Sequence, residues 1–277
     1  MPPKIRPVPP TGRLSAKTRE FPQIVYDMRH VVFSVVRQRP MPNGLSGCKA
    51  LGTGFFIARD VFITCDHVMN HPNDPHQNGD SYLLFANLTG TSGKLYTLTT
   101  PTIGQEINLF PNLDLAVLRV NTATADQPFA ALEYGDVYAG EDIGVVGYPL
   151  PTLQVVNGNV ALNSLLYRAA RGCVTGRYFA NDGALLNVPI IEVNFLFVPG
   201  NSGGPVFSAE TGRVMGFVRG FQALKIRESV ATVSMIQNQQ MPLGLGNQYI
   251  ENLNAIYSLA IKLDFIRATV EGFGATL

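Results

Sequence analysis

The sequence predicts an all-β protein of two successive β units closed by a C-terminal helix. Three observations predict it. Short runs rich in Val, Ile, Phe, Tyr and Thr alternate with Gly, Pro and Asn clusters along almost the whole chain, the pattern of strands separated by turns. Gly and Pro are abundant, 27 and 19 of 277 residues, as many tight reversals between short strands require. Helical spacing of apolar residues shows in one place, LDFIRATVEGF at 263–273, where Leu263, Ile266, Val270 and Phe273 share a packing stripe.

In chain order, residues 1–29 read as a basic, Pro-rich N-terminal tail. The first twenty, MPPKIRPVPPTGRLSAKTRE, hold Lys4, Arg6, Arg13, Lys17 and Arg19 against Glu20, with Pro at 2, 3, 7, 9 and 10. Such a segment has little means of folding alone. The first β unit, 30–122, runs through HVVFSVVRQ (30–38), GTGFFIA (52–58), VFITCDHV (61–68), SYLLFANLT (81–89) and DLAVLRV (114–120). NTATADQPFA at 121–130 is a turn-rich bridge. The second unit, within 123–277, runs through DIGVVGYP, QVVNGNVALNSLLYRAARG, LLNVPIIEVNFLF, GPVFSA, RVMGFVRGFQ and SVATVSMIQ before the terminal helix.

With 21 basic and 20 acidic residues, a formal charge of +1, the chain as a whole is expected to bind neither nucleic acid nor an anionic membrane. Beyond the first twenty residues, 16 basic residues face 19 acidic ones. The tail alone has charge to offer nucleic acid or an acidic partner, and five charges on a flexible segment are more often simply solvated. No apolar run reaches the ~18 residues of a membrane span, and the N-terminus lacks the apolar core of a secretory signal. A soluble, cytoplasmic protein is the expectation. Cys48, Cys65 and Cys173 lack the CxxC spacing of zinc or redox sites and read as reduced structural thiols.

Three segments carry chemistry. In Pro199-Gly200-Asn201-Ser202-Gly203-Gly204-Pro205 the glycines let the backbone turn tightly, leaving the Ser202 hydroxyl exposed beside converging N–H groups. An oxyanion needs such a nest. His67, in Thr64-Cys65-Asp66-His67-Val68, ends an apolar strand. Taken alone it would read as a satisfied core or rim histidine. In Asp114-Leu115-Ala116-Val117-Leu118-Arg119-Val120, alternation places Asp114 on one face with Ala116, Leu118 and Val120. A carboxylate leading an apolar face is costly unless it accepts hydrogen bonds, and an imidazole N–H is a suitable donor.

In their order, His67, Asp114 and Ser202, set in TxxHV, DLAVL and GNSGGP, resemble the chymotrypsin-like serine peptidases. The closest sub-pattern is the HtrA/DegP-type protease domain, whose sequences run GSGF, TxxHV, DxAxL and PGNSGGP. The resemblance implies two antiparallel six-stranded β-barrels with the site in the cleft between them. It implies Ser202 as nucleophile, His67 as general base and then acid, and Asp114 as the group that orients the imidazole and stabilises its cation. The N–H groups of Gly200 and Ser202 would form the oxyanion hole. No metal or organic cofactor is implied. Val218-Arg219-Gly220 would pair with the substrate backbone as an added strand.

The same resemblance sets expectations for specificity and control. Leu196 stands six residues before Ser202, where enzymes that cut after Arg or Lys carry an Asp. With Phe197, Val198, Phe217 and Val218 it would make an apolar pocket, while Arg219 could still recruit an acidic side chain. Position 201 is Asn where trypsin-type zymogens have an Asp, so activation by a new N-terminus is not expected, and only a few residues follow the terminal helix, too few for a PDZ module. A low basal activity released by a protein partner follows, with 172–188 as a candidate activation loop. The implied function is a serine endopeptidase acting on protein or peptide substrates through an acyl-enzyme. The alternatives are a pseudoprotease or binding scaffold, and a self-processing protease. His71, Asp74, His76 and Asp80 in NHPNDPHQNGD could be taken for a metal site, but their Pro and Asn neighbours favour a solvated loop.

Overall fold

The structure, a computed structural model, describes residues 19–42, 44, 46–87, 93–122, 127–149, 152–156, 159–164, 166–182, 185–225 and 254–274. The expected strand SVATVSMIQ and most of the tail lie outside these residues. Helix α1 (Phe21–Met28) precedes strands β1 (Val32–Pro40), β2 (Ser46–Ala58) and β3 (Val61–Thr64), the one-turn helix α2 (Asp66–Met69), and strands β4 (Ser81–Asn87), β5 (Gly93–Leu98), β6 (Ile107–Phe110) and β7 (Leu115–Arg119). These strands form one antiparallel sheet in the order β5-β4-β1-β2-β3-β7-β6, seven strands rather than six. The second unit holds β8 (Asp142–Gly147), the hairpin β9 (Thr152–Val156) and β10 (Asn159–Ser164), β11 (Arg168–Asp182), β12 (Leu185–Val193), β13 (Pro205–Ser208), β14 (Val214–Lys225), β15 (Asn254–Lys262) and helix α3 (Leu263–Gly272). Here six strands close a barrel, β11-β12-β15-β14-β13-β8. The all-β, chymotrypsin-like double-barrel expectation is borne out.

Burial explains why the first unit's strands read as continuous apolar runs. Phe55, Phe56, Ile57, Val61, Phe62 and Ile63 are all buried, so β2 and β3 are covered on both faces. Phe33, Phe56 and Phe62 pack edge-to-face, with Phe56 centred 5.3 Å from Phe33 and 5.1 Å from Phe62, the geometry that aromatic quadrupoles favour. The second barrel encloses its own apolar centre, including Ile143, Val145, Ile191, Val206 and Val218. In α3 the expected stripe is present, with Leu263, Ile266 and Val270 buried and Phe273 packed against the same core.

Three expectations are corrected. Residues 21–28, assigned to the tail, form α1, which carries Pro22 in its first turn and buries Ile24 and Met28. Phe21 stacks on Phe207 of β13 with centroids 6.1 Å apart, and the Tyr167 hydroxyl donates to the Val25 carbonyl, so tertiary contacts supply what so short a helix lacks by itself. Residues 172–188, a candidate activation loop, belong largely to the paired strands β11 and β12 of the closed barrel. The loop 71–80 is not simply solvated. Asp80 is completely buried and takes both Arg39 Nε at 2.6 Å and Arg39 Nη2 at 2.7 Å. Asp74 takes Arg37 at 2.6 Å, Lys49 at 2.7 Å and Arg39 at 3.0 Å. These carboxylates are committed to guanidinium partners on β1, which leaves a cation little to bind. Among the described residues no helix is long and apolar enough to cross a membrane.

Candidate active site

His67 stands on α2 rather than at a strand end. Cys65 precedes the turn with extended backbone, and Val68 and Met69 are buried beneath it. The turn is thus anchored by its apolar side, and His67 keeps 34% of its side chain exposed. Asp114 does not lead an alternating face. A 3₁₀ turn at Pro111–Leu113 ends on Asp114 in left-handed backbone, φ 45° and ψ 42°, which Asp tolerates better than most residues. Leu115 to Leu118 are buried throughout, so β7 has no polar face for a carboxylate to join. The kink brings Asp114 Oδ1 and Oδ2 to 2.9 and 3.0 Å from His67 Nδ1, and Oδ1 also accepts the His67 backbone N–H at 3.2 Å. A carboxylate only accepts, so Nδ1 carries the ring proton and Nε2 presents its lone pair.

Ser202 sits in the turn between β12 and β13, shaped by Gly200 and Gly203 at φ 98° and 85°. A Cβ on Gly203 would overlap the Thr53 carbonyl and the Thr64 hydroxyl. Thr53 of β2 fastens this turn across the cleft. Its N–H donates to the Ser202 carbonyl at 2.9 Å and its hydroxyl to the Gly200 carbonyl at 2.6 Å. The same hydroxyl accepts the Tyr148 N–H at 3.0 Å. The N–H groups of Gly200 and Ser202 donate to no acceptor among the described residues, which leaves two donors open beside the hydroxyl. The Ser202 hydroxyl itself donates to the Arg219 carbonyl at 3.3 Å. Among the described residues it makes no hydrogen bond to His67.

Arg219 occupies a bulge in β14, skipped between the pairs Val218–Ala260 and Gly220–Leu259. Bulges re-aim the residue they free, and here the guanidinium Nε reaches 3.6 Å from Asp114 Oδ2. His67, Ser202, Arg219 and Gly220 share a cleft of about 290 Å³ whose apolar wall is Phe197, Val198 and Val218. Leu196 and Phe217 do not line it. Leu196 is 55% exposed and Phe217 is buried in the core opposite Pro205. Leu196 turns out to solvent and Phe217 into the core, so adjacency in sequence to Phe197 and Val218 puts neither in the cleft. Thr53 and the reach of Arg219 to Asp114 were not anticipated. Thr53 lies in the GTGF run, and its polarity within an apolar strand was the available signal.

Two side chains beside His67 have displaced ionisation. Burial, and then Asp114, push the Cys65 thiol up, so it stays protonated and donates to the Val218 carbonyl at 3.1 Å. Burial and the Asp114 charge push Asp66 up to about 6, and its Oδ1 is buried without a hydrogen-bond partner. Folded Asp66 therefore binds its proton more tightly than unfolded Asp66. Its contribution is fully present below pH ~3.9 and is lost as pH rises through about 6. Asp66→Asn is expected to stabilise the fold above pH 7 by about 1–2 kcal/mol after solvent screening. In denaturant titrations from pH 4 to 8 that gain should shrink steadily toward acid, and a pH-independent difference would contradict the assignment.

The model of the trypsin-like peptidase domain matches residues 52–217, a span that holds His67, Asp114 and Ser202. The chain belongs to the trypsin-like peptidase domain family. The chymotrypsin-like serine peptidase resemblance in the sequence is thereby borne out. Within such relatives, the putative protease Do-like 13 of Arabidopsis thaliana is 30% identical over 163 residues, 57% of this chain and 27% of that protein. The chain thus matches about a quarter of that relative's length. The Rv3671c protease of M. tuberculosis superposes in its active form with a TM-score of 0.56 at 17% identity, over 98% of this chain and 95% of that one. Its inactive form gives 0.53 at 18% identity, over 91% and 93%. These two superpositions show a shared trypsin-like peptidase fold.

Proposed function

We propose that the protein is a serine endopeptidase acting on protein or peptide substrates. The observation that carries this reading is the Asp114–His67 pair at 2.9 Å in the cleft that also holds Ser202. With Nδ1–H held by the carboxylate, Nε2 is the base that takes the Ser202 proton as Oγ attacks the carbonyl carbon. The open N–H groups of Gly200 and Ser202 receive the oxyanion, each such donor being worth roughly 3–4 kcal/mol of barrier. The imidazolium then protonates the leaving amine, and water releases the acyl group by the same route. Asp114 steadies the cation throughout.

The resting hydroxyl points to the Arg219 carbonyl rather than to His67, which supports a low basal activity. A substrate strand added along Val218-Arg219-Gly220 brings an N–H that competes for that carbonyl and frees Ser202. A protein partner that orders the cleft would act on the same equilibrium. A fluorophosphonate probe tests the reading. Labelling of the intact protein, absent in Ser202→Ala, is expected, whereas a cleft that binds peptides without labelling would indicate a pseudoprotease scaffold.

The cleft wall also sets the expected specificity. Val198 offers apolar surface backed by the buried Phe197 and Val218, where a Val or Leu side chain gains roughly 1.5–3 kcal/mol and an unpaired Arg or Lys head is penalised. Profiling a proteome-derived peptide library should show Val, Ala, Leu or Ile on the acyl side of the cut bond. A dominant Arg or Lys preference would refute this wall as the specificity pocket.

A further inference from the structure

We propose that Cys65, His67 and Asp114 together form a capture site for one soft or borderline divalent cation, and that its occupancy switches the active site off. The switching half rests on the peptidase reading above; the binding half does not. A sulfur, a ring nitrogen and a carboxylate oxygen, one from each residue, lie within 4.8 Å of one another. Thiolate, imidazole and carboxylate are the donor set that zinc-type cations take, at about 2.3 Å to sulfur and about 2.0–2.2 Å to nitrogen and oxygen. His67 and Asp114 are already in contact. Closing the set therefore asks mainly for the sulfur to approach that pair from within 4.8 Å, a movement on the order of 1 Å to the spacing of ligands around one ion.

The surroundings hold charge of both signs. Asp66 adds a second carboxylate whose Oδ1 has no hydrogen-bond partner among the described residues, and the Arg219 guanidinium stands near Asp114. Cys65 has no exposed surface, so bulky thiol reagents are shut out. A bare ion needs only the gap beside the partly exposed His67 ring, which lines the cleft. Neither Cys48 nor Cys173 has such a donor cluster among the described residues.

Proton bookkeeping gives the consequence. The cation takes the Cys65 sulfur and its proton leaves to solvent, one proton per ion. Bound at Nδ1, it sends the single imidazole proton to Nε2, and that nitrogen can no longer accept from Ser202. The Asp114 oxygen given to the ion also leaves the ring.

The test begins with the Ser202→Ala protein and Cd²⁺, whose bond to sulfur gives an ultraviolet charge-transfer band, with calorimetry for stoichiometry. One Cd²⁺ per chain with the band is expected, and both should vanish in Cys65→Ala and in Cys65→Ser, the second of which keeps size and a donor toward Val218. In the protein with Ser202 intact, Zn²⁺ should suppress peptide cleavage reversibly to chelator. Cys65→Ser should need at least about 100-fold more Zn²⁺, since losing even an outer partner of a metal site costs about 10- to 100-fold. A band that survives in both Cys65 variants, no binding, or equal Zn²⁺ inhibition with and without the thiol would each overturn the proposal. Cys65-dependent Cd²⁺ binding in a protein that neither cleaves nor takes the fluorophosphonate label would uphold the site and sink the peptidase reading. Cleavage without such binding would do the reverse.

Discussion

Replacing Ser202 by Ala is expected to lower peptide turnover by about 10⁶-fold, and His67→Ala by a similar factor. The double variant should be no worse than either single one, because nucleophile and base act as a unit and neither is useful alone. Asp114→Asn should cost about 10⁴-fold, since an amide that replaces the carboxylate no longer dictates which ring nitrogen carries the proton. Stability should hardly move in Ser202→Ala, whose side chain makes, among the described residues, a single hydrogen bond, to the Arg219 carbonyl. Measuring kcat/KM on an apolar peptide beside thermal unfolding separates the two effects. Turnover retained by a folded Ser202→Ala protein would refute the assignment.

The largest stability effect is expected at Asp80. Asp80→Ala removes the partner of an Arg39 fork at 2.6 and 2.7 Å and opens a hole where a fully buried carboxylate stood, and loss of one member of a buried pair costs about 3–5 kcal/mol. Replacing both Arg39 and Asp80 by Leu should recover part of that loss, because the desolvation of two charges disappears with them. Arg37 and Lys49 hold the Asp74 carboxyl well below the usual range. Asp80 is held low as well, by Arg39 and the Gln77 N–H, although burial opposes its charge. Folded carboxyls of this kind bind protons less tightly than unfolded ones. Their stabilisation is present above pH ~3.9 and fades as pH falls below it. Denaturant titrations at pH 7 and pH 3 should show the Asp80→Ala difference shrinking at the lower pH, and a constant difference would argue against this ion-pair account.

Much of this was legible in the sequence because the site is built from short contiguous segments. The run around Ser202 declares its own turn through its glycines, and the apolar runs before His67 and after Asp114 declare the strands that flank them. What stayed hidden depends on contacts between distant segments. Helix α1 follows a Pro-rich stretch, and nothing in its eight residues announces that Phe207 and Tyr167 will receive it. Asp114 was assigned to the right partner for a wrong reason, because alternation presumes a strand with two different faces and β7 has none. Leu196 and Phe217 were drawn into the pocket by adjacency, which cannot say which of two neighbours turns inward. The fastening role of Thr53 links β2 to residues well over a hundred positions away, and no local pattern encodes such a partner.

That last link bears on when the machinery comes into being. Synthesis runs from the N-terminus, so His67, Asp114 and Thr53 emerge well before Ser202, and Gly200 and Ser202 take their shape from bonds to Thr53. On the proposed peptidase reading, the early half holds the base, and the late half holds the hydroxyl whose turn is fastened by the other. On that reading, the site is therefore complete only once both units have been made and Thr53 holds the Ser202 turn.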